Sequence, residues 1–301
     1  MDINKLKEKF HLRDRIVRVL SEDGNFRAVC VKNTSTAQLA QQKHNLEYYA
    51  AGFLSRTLSA SSMLASFLKG EERVIFEVEG NGPIRKVFAE ALQLGEVRGF
   101  VKYSKSFDYQ NIKNINEYIG VGLLKVSKIM YNKREPIVGI VPIIKGDIST
   151  DLTYYFKQSE QIPTLVFLDV GFDENGIINQ SGGLIVQAMP GHTKEKFEEI
   201  IEITKNLKLI NYFNSKLNPL DVLKSVLPFD FDLISSNQVD FFCRCSKDSF
   251  IEKLMTLELN DILEMQKNNE NELVCQYCNT KYYLTNEDFE KMILEMKAKR
   301  N

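Results

Sequence analysis

The chain has 301 residues, 44% of them hydrophobic, with 39 Lys and Arg against 40 Asp and Glu and a formal net charge of −1. That length and apolar content suit one large domain or two modest ones with a real core, and the balanced charge gives no support to a nucleic-acid or anionic-membrane binder. No run of about 18 apolar residues could span a bilayer, and Met1-Asp2-Ile3-Asn4-Lys5-Leu6-Lys7 lacks an apolar signal core, so a soluble cytoplasmic protein is expected.

In chain order, Arg15 to Leu20 and Phe26 to Val31 flank Glu22-Asp23-Gly24-Asn25, which predicts a hairpin. The segment from Tyr48 to Leu68 is nearly free of charge, and its apolar residues fall on all faces among Ala, Ser and Gly. Such a helix is buried rather than amphipathic, so a central helix enclosed by sheet is expected. Strand signals resume at Val74 to Val78 and Val97 to Val101, with a turn at Gly80-Asn81-Gly82-Pro83. Gly122 to Met130 and Ile137 to Ile144 predict an antiparallel pair. Asp147 is placed to cap a helix whose Ile148, Leu152, Tyr155 and Phe156 share one face. Leu165 to Val170, the Asn175-Gly176 turn, and Leu184 to Met189 after Gly182-Gly183 complete the pattern. The fold class is α+β: an antiparallel β-rich core over residues 1–190.

Residues 191–238 differ. Phe197, Ile200, Ile201 and Leu207 recur at helical spacing among charges, Asn218-Pro219 offers a cap and a first helical residue, and strand signals are lacking. A helical linker is expected, its apolar face lying on the core's sheet. Residues 239–301 form a small C-terminal domain. There Ser246 can cap a helix carrying Phe250, Leu254 and Met255, and Thr285 with Asp288 resembles a capping box stapled by Leu284 and Phe289.

Within that domain lie Cys243-Arg244-Cys245 and Cys275-Gln276-Tyr277-Cys278, separated by 29 residues. Two close sulfur pairs of this kind can close a tetrahedral cage of four cysteines around one Zn2+. The three histidines, His11, His44 and His192, lie far upstream, and Cys30 sits alone in an apolar stretch as a small core residue. Counting from Val239, nine basic residues face twelve acidic ones, whereas a nucleic-acid-binding zinc ribbon would present a basic face. No H-E-x-x-H, Walker A, G-x-S-x-G or dinucleotide G-x-G-x-x-G motif occurs, so no enzymatic activity is expected from these chemistries. Spacing alone leaves two readings open, a structural zinc site and a redox dithiol. A thiol–disulfide oxidoreductase would use Cys275 and Cys278, but its C-x-x-C would open a helix, and here Cys278 runs into the strand-like Asn279-Thr280-Lys281-Tyr282-Tyr283.

Over nearly its full length the chain resembles the heat-shock protein 33 family of redox-regulated holdase chaperones. The resemblance is carried by Cys243-Arg244-Cys245-Ser246 and Cys275-Gln276-Tyr277-Cys278-Asn279, and upstream by Glu79-Gly80-Asn81-Gly82-Pro83-Ile84, Gly95-Glu96-Val97-Arg98-Gly99-Phe100, Ser159-Glu160-Gln161-Ile162-Pro163 and Gly182-Gly183-Leu184 through Pro190. It departs from the family at Ser55, where glycine is usual before the arginine, and at Asp248-Ser249. The resemblance implies one zinc held by Cys243, Cys245, Cys275 and Cys278 in the reduced form, and the same four cysteines as redox disulfides. It implies unfolding client proteins as partners, neither nucleic acid nor membrane, and leaves open a homodimer of the oxidised form. The short separations favour Cys243–Cys245 and Cys275–Cys278 pairing, because closing a small loop costs little entropy, although C-x-C closure is strained.

Overall fold

Strand β1 (Arg15–Ser21) returns as β2 (Phe26–Lys32) through the expected turn. Gly24 there has φ +71°, and the Asp23 carboxylate accepts from the Ser21 hydroxyl at 2.7 Å and the Asn25 amide at 3.0 Å. This computed structural model describes residues 13–104, 114–214 and 217–298, and Cα packing divides the chain into two units after Phe242. The N-terminal segment Met1 to Lys7 and His11 lie outside the described residues.

Two helices follow the hairpin, α1 (Thr34–His44) and α2 (Tyr48–Ala65). Asn33 supplies no side-chain cap to α1. Asp14 does so instead, accepting from the amides of Ser35 at 3.2 Å and Thr36 at 2.6 Å. Asn45, left-handed at φ 47°, ends α1. Helix α2 is the expected central helix, with 15 of its 18 residues buried. Most of its hydroxyls are satisfied within that core, Thr57 donating to the Phe53 carbonyl at 2.8 Å and Ser59 to Asn33 Oδ1 at 2.9 Å, while the buried Ser62 hydroxyl has no partner among the described residues. Ser55, the departure from the family pattern, lies 2.6 Å from the Ser181 hydroxyl.

Two sheets enclose α2. The first has the order β10-β1-β2-β9-β8, with β8 (Thr164–Phe172), β9 (Ile178–Ala188) and β10 (Phe231–Gln238). The second runs β11-β5-β4-β3-β6-β7, from β3 (Arg73–Gly80), β4 (Ile84–Leu92), β5 (Glu96–Tyr103), β6 (Gly122–Ile129), β7 (Ile137–Pro142) and β11 (Asp240–Phe241). All pairings are antiparallel except β11 with β5. Helix α2 packs on β2, β8 and β9 of one sheet and on β3, β4 and β5 of the other. Helix α3 (Ile148–Tyr155) carries the predicted Asp147 cap, accepting from the Thr150 amide, and continues into a π turn over Phe156–Glu160.

Two details differ from expectation. Strand β4 carries no strand signal in the sequence, and Gly182-Gly183 lies inside β9 rather than before it. A Cβ on Gly182 would meet the Val31 carbonyl oxygen at 2.3 Å, so close strand approach explains the glycine.

The linker is helical as expected and holds α4 (Lys194–Thr204), α5 (Leu209–Asn214) and α6 (Pro219–Val226), the last capped by Asn218. It also contributes β10, a strand its sequence did not announce. Its apolar face lies on the first sheet, where Ile200, Phe213, Val222 and Leu223 join one core with Val19, Phe26, Cys30 and Leu184. Ile200 is 1% exposed but Ile201 is 36% exposed, so only the former belongs to the buried face, and Leu207 follows α4 rather than lying within it.

The second unit holds α7 (Lys247–Leu254), α8 (Leu259–Lys267), a hairpin of β12 (Glu272–Val274) and β13 (Lys281–Tyr283), and α9 (Asn286–Ala298). The Thr285–Asp288 capping box forms, and Leu284 and Phe289 both enter a core with Ile262, Met292 and Met296.

Candidate metal centre

Three local devices present the four cysteines. Cys243 and Cys245 lie in the extended stretch before α7, which Ser246 caps by accepting from the Ser249 amide. Cys275 and Cys278 occupy the turn of the β12–β13 hairpin. That turn is closed by the Asn279 amide donating to the Cys275 carbonyl at 2.7 Å and the Cys275 amide donating to the Thr280 carbonyl at 2.9 Å. Asn279 takes φ 54°, a left-handed conformation that asparagine tolerates better than most residues.

These elements bring the four sulfurs within 4.8 Å of one another. Cys243 Sγ lies 3.7 Å from Cys275 Sγ, and Cys245 Sγ lies 3.4 Å from Cys278 Sγ. Thiolates at about 2.3 Å from a tetrahedral ion are about 3.8 Å apart, so the spread suits one ion at the centre. Cys275 and Cys278 are buried and Cys243 and Cys245 half-buried. No other cluster of three or more His, Cys, Asp or Glu with this geometry occurs among the described residues. Cys30 is fully buried in the first unit, as expected. Neither described histidine belongs to the cluster: His44 lies against the Phe241 ring, and His192 has its Nδ1 3.0 Å from the Met189 carbonyl.

The donor set fits a cation. Burial raises the Cys245 thiol to about 12, against the effect of the Tyr282 hydroxyl, and raises Cys275 as well. Cys278, although burial raises it too, is brought down to about 7 by hydrogen bonds from the Thr280 hydroxyl and amide. Left to themselves the sulfurs would therefore not all ionise near neutral pH, and a divalent cation at the centre would stabilise four adjacent thiolates. Two supporting residues were not singled out as site residues in the sequence. The Tyr282 hydroxyl donates to the Cys245 carbonyl at 2.9 Å and lies 3.3 Å from Cys245 Sγ, and Thr280 Oγ1 lies 3.2 Å from Cys278 Sγ. Both sit on the strand-like run after the second cysteine pair, Thr280 in the hairpin turn and Tyr282 in β13, and the fold of the hairpin turns them towards the sulfurs.

The model of the Hsp33 protein family matches residues 14–285. The chain belongs to the Hsp33 family. Curated relatives named "33 kDa chaperonin" match over most of the chain. The one from Bacillus velezensis is 33% identical over 93% of this chain and 98% of its own, and that from Bacillus cereus is 32% identical over 94% and 99%. The crystal structure of the Thermotoga maritima 33 kDa chaperonin (Heat shock protein 33 homolog) matches with a TM-score of 0.84 and 30% identity, covering 95% of this chain and 99% of the other. Membership of the Hsp33 family supports a chaperone role. No described helix is long and apolar enough to cross a membrane.

Proposed function

We propose that this Hsp33 chain is a redox-regulated, ATP-independent holdase of the cytoplasm that binds unfolding proteins under oxidative stress. The observation that carries the reading is the convergence of Cys243, Cys245, Cys275 and Cys278 within the second unit, which begins at Cys243. Four thiolates are a donor set for Zn2+, which when bound supplies the positive charge that keeps the sulfurs ionised and ties the hairpin to the segment before α7.

The chain's own residues do the rest. A thiolate attacks a peroxide oxygen; the O–O bond breaks, the sulfur becomes sulfenic acid, and the leaving oxygen takes a proton to become water. A neighbouring thiol then attacks that sulfur, forming a disulfide and releasing a second water. Each disulfide removes two ligands, and the second unit has only a small core of its own to hold it folded. Its unfolding loosens the linker, and apolar surface on the linker and the first sheet becomes available to clients. A dithiol oxidoreductase is disfavoured because Cys278 enters a hairpin rather than opening a helix.

Reduced protein should contain one zinc per chain, lost on peroxide treatment and retained in Cys30→Ser. Oxidised protein should suppress aggregation of a thermally unfolding client while failing to reduce insulin. Efficient insulin reduction, or equal aggregation suppression by the reduced form, would overturn the reading. Mass mapping of the oxidised chain should show mainly Cys243–Cys245 and Cys275–Cys278 disulfides, the first the more easily reduced. Mainly Cys243–Cys275 and Cys245–Cys278 bridges would mean that cross-pairs in the cage are trapped before the short loops can close.

A further inference from the structure

Where α2 ends, the two sheets leave a cleft of about 510 Å3 in the first unit, far in sequence from the cysteines. Arg27 of β2 faces it with its guanidinium stacked 4.1 Å from the centre of the Phe67 ring and its Nε donating to Gln187 Oε1 at 2.8 Å. Gln187 is itself fixed by donating to Thr164 Oγ1 at 3.0 Å. The Nη groups of Arg27 meet no protein acceptor among the described residues.

The charge balance of the cleft is positive. Its one lining carboxylate, Glu160, is already engaged on Oε1 by Lys128 Nζ and by the Tyr155 hydroxyl at 2.7 Å. The π turn at the end of α3 is what sets Glu160 against both partners, a local widening often found at functional sites. Burial opposes the Glu160 charge, but Lys128 and Tyr155 outweigh it and hold the group below the usual carboxylate range. Burial also lowers Arg27, and the neighbouring Arg18, which donates to the Ser66 carbonyl, adds like charge; the charge of Glu160 offsets them only in part. An anion set against Arg27 would relieve both effects. The rest of the lining is mainly apolar, built from Leu64, Met130, Val138, Phe156 and Ile162 with Ser159 beside them.

We propose that this cleft binds a small carboxylate with an apolar body, the carboxylate taken bidentate by the Nη groups of Arg27 and the body laid against Leu64, Met130 and Ile162. A planar guanidinium fork matches a carboxylate, and a half-apolar lining selects against bare inorganic anions. The site is separate from the cysteine chemistry and does not depend on it.

Octanoate is a suitable probe, titrated calorimetrically into reduced, zinc-loaded, full-length protein beside octanol and octylamine. One saturable octanoate per chain is expected, with octanol and octylamine at least tenfold weaker. Methyl NMR of the wild-type protein should show shifts concentrated at Leu64, Met130, Val138 and Ile162. Arg27→Gln should weaken octanoate at least tenfold, and Arg27→Lys, which keeps charge but loses the fork, should fall between. Equal binding of octanol, absence of saturation, methyl shifts elsewhere, or a folded Arg27→Gln that binds as tightly as wild type would each overturn the proposal. The wild-type methyl map decides the matter if Arg27→Gln does not fold.

Discussion

Replacing Cys278 with serine should unfold residues 243–301 and leave the chain an active holdase without oxidant. Serine offers a hydroxyl in place of a thiolate, and three sulfurs do not complete a closed structural zinc site. Such a site contributes about 10–16 kcal/mol to the folding of a small module. Against that stands a core of Ile262, Leu284, Phe289, Met292 and Met296 with partly buried neighbours, in a unit of only 59 residues. Domains of that size are marginal even with a well-filled core. Hydrogen exchange on the full-length variant should therefore show α8 and α9 unprotected, while the buried amides of α2 stay protected. Aggregation suppression by the reduced variant should approach that of oxidised wild type. A variant that keeps zinc and protection would show the cage tolerates three sulfurs. An unfolded second unit without chaperone activity would show that unfolding there is damage and not a switch.

The second large effect is expected in the linker. Phe213 of α5 is 1% exposed, and its ring packs so closely on the first sheet that a Cβ on Gly182 would meet Phe213 Cε2 at 2.4 Å. Phe213→Ala should cost about 3–5 kcal/mol of linker packing, and Ile200→Ser, at an equally buried position, should add to it. Beneath these side chains the sheet presents Val19, Ala28, Cys30, Leu184 and Val186, an apolar face that the linker keeps from water. If linker packing is what withholds that face from clients, Phe213→Ala should suppress aggregation while still reduced and zinc-loaded. Ile201→Ser, at a half-exposed position, should change stability by no more than about 0.5 kcal/mol and leave the reduced protein inactive. A loosened linker in the Phe213 variant with no activity before oxidation would reduce the linker to a tether.

Much of the first unit was legible because local signals and burial agree. The Asp23-Gly24 turn, the chargeless α2 and the Asp147 cap each state in a few residues what the fold then does. Strand β4 was not legible, because Ile84-Arg85-Lys86-Val87-Phe88-Ala89-Glu90-Ala91-Leu92 mixes helix-forming Ala, Glu and Leu without clean alternation. Its position between β3 and β5 overrides that propensity, and its buried Glu90 is paired with Arg73 and Arg98, which no local window reveals. Strand β10 stayed hidden for a related reason, since Leu233 and Ile234 are exposed neighbours rather than alternating inward residues. The cysteine cluster was readable from spacing alone. Tyr282 and Thr280 were not, because hydrogen bonding to sulfur depends on the hairpin's register. Nor was the Arg27 cleft, whose walls come from five separate stretches of chain.

The edge strands β10 and β11 bear on how this protein is made. Arg15 pairs with Gln238 and Glu96 with Asp240, so both sheets receive an edge strand from residues 231–241. On the ribosome β1 and β5 emerge early and remain unpaired on one side. At roughly 5–20 residues per second, about ten to forty-five seconds separate the synthesis of β1 from that of its partner. Through that interval the nascent chain presents first the edge of β1 and then that of β5 as well, the feature by which unfinished sheets join to one another. A protein proposed to restrain the aggregation of others thus passes through a stage in which β1 and β5 are themselves open to that hazard, until residues 231–241 have cleared the exit tunnel and taken over the edge of each sheet.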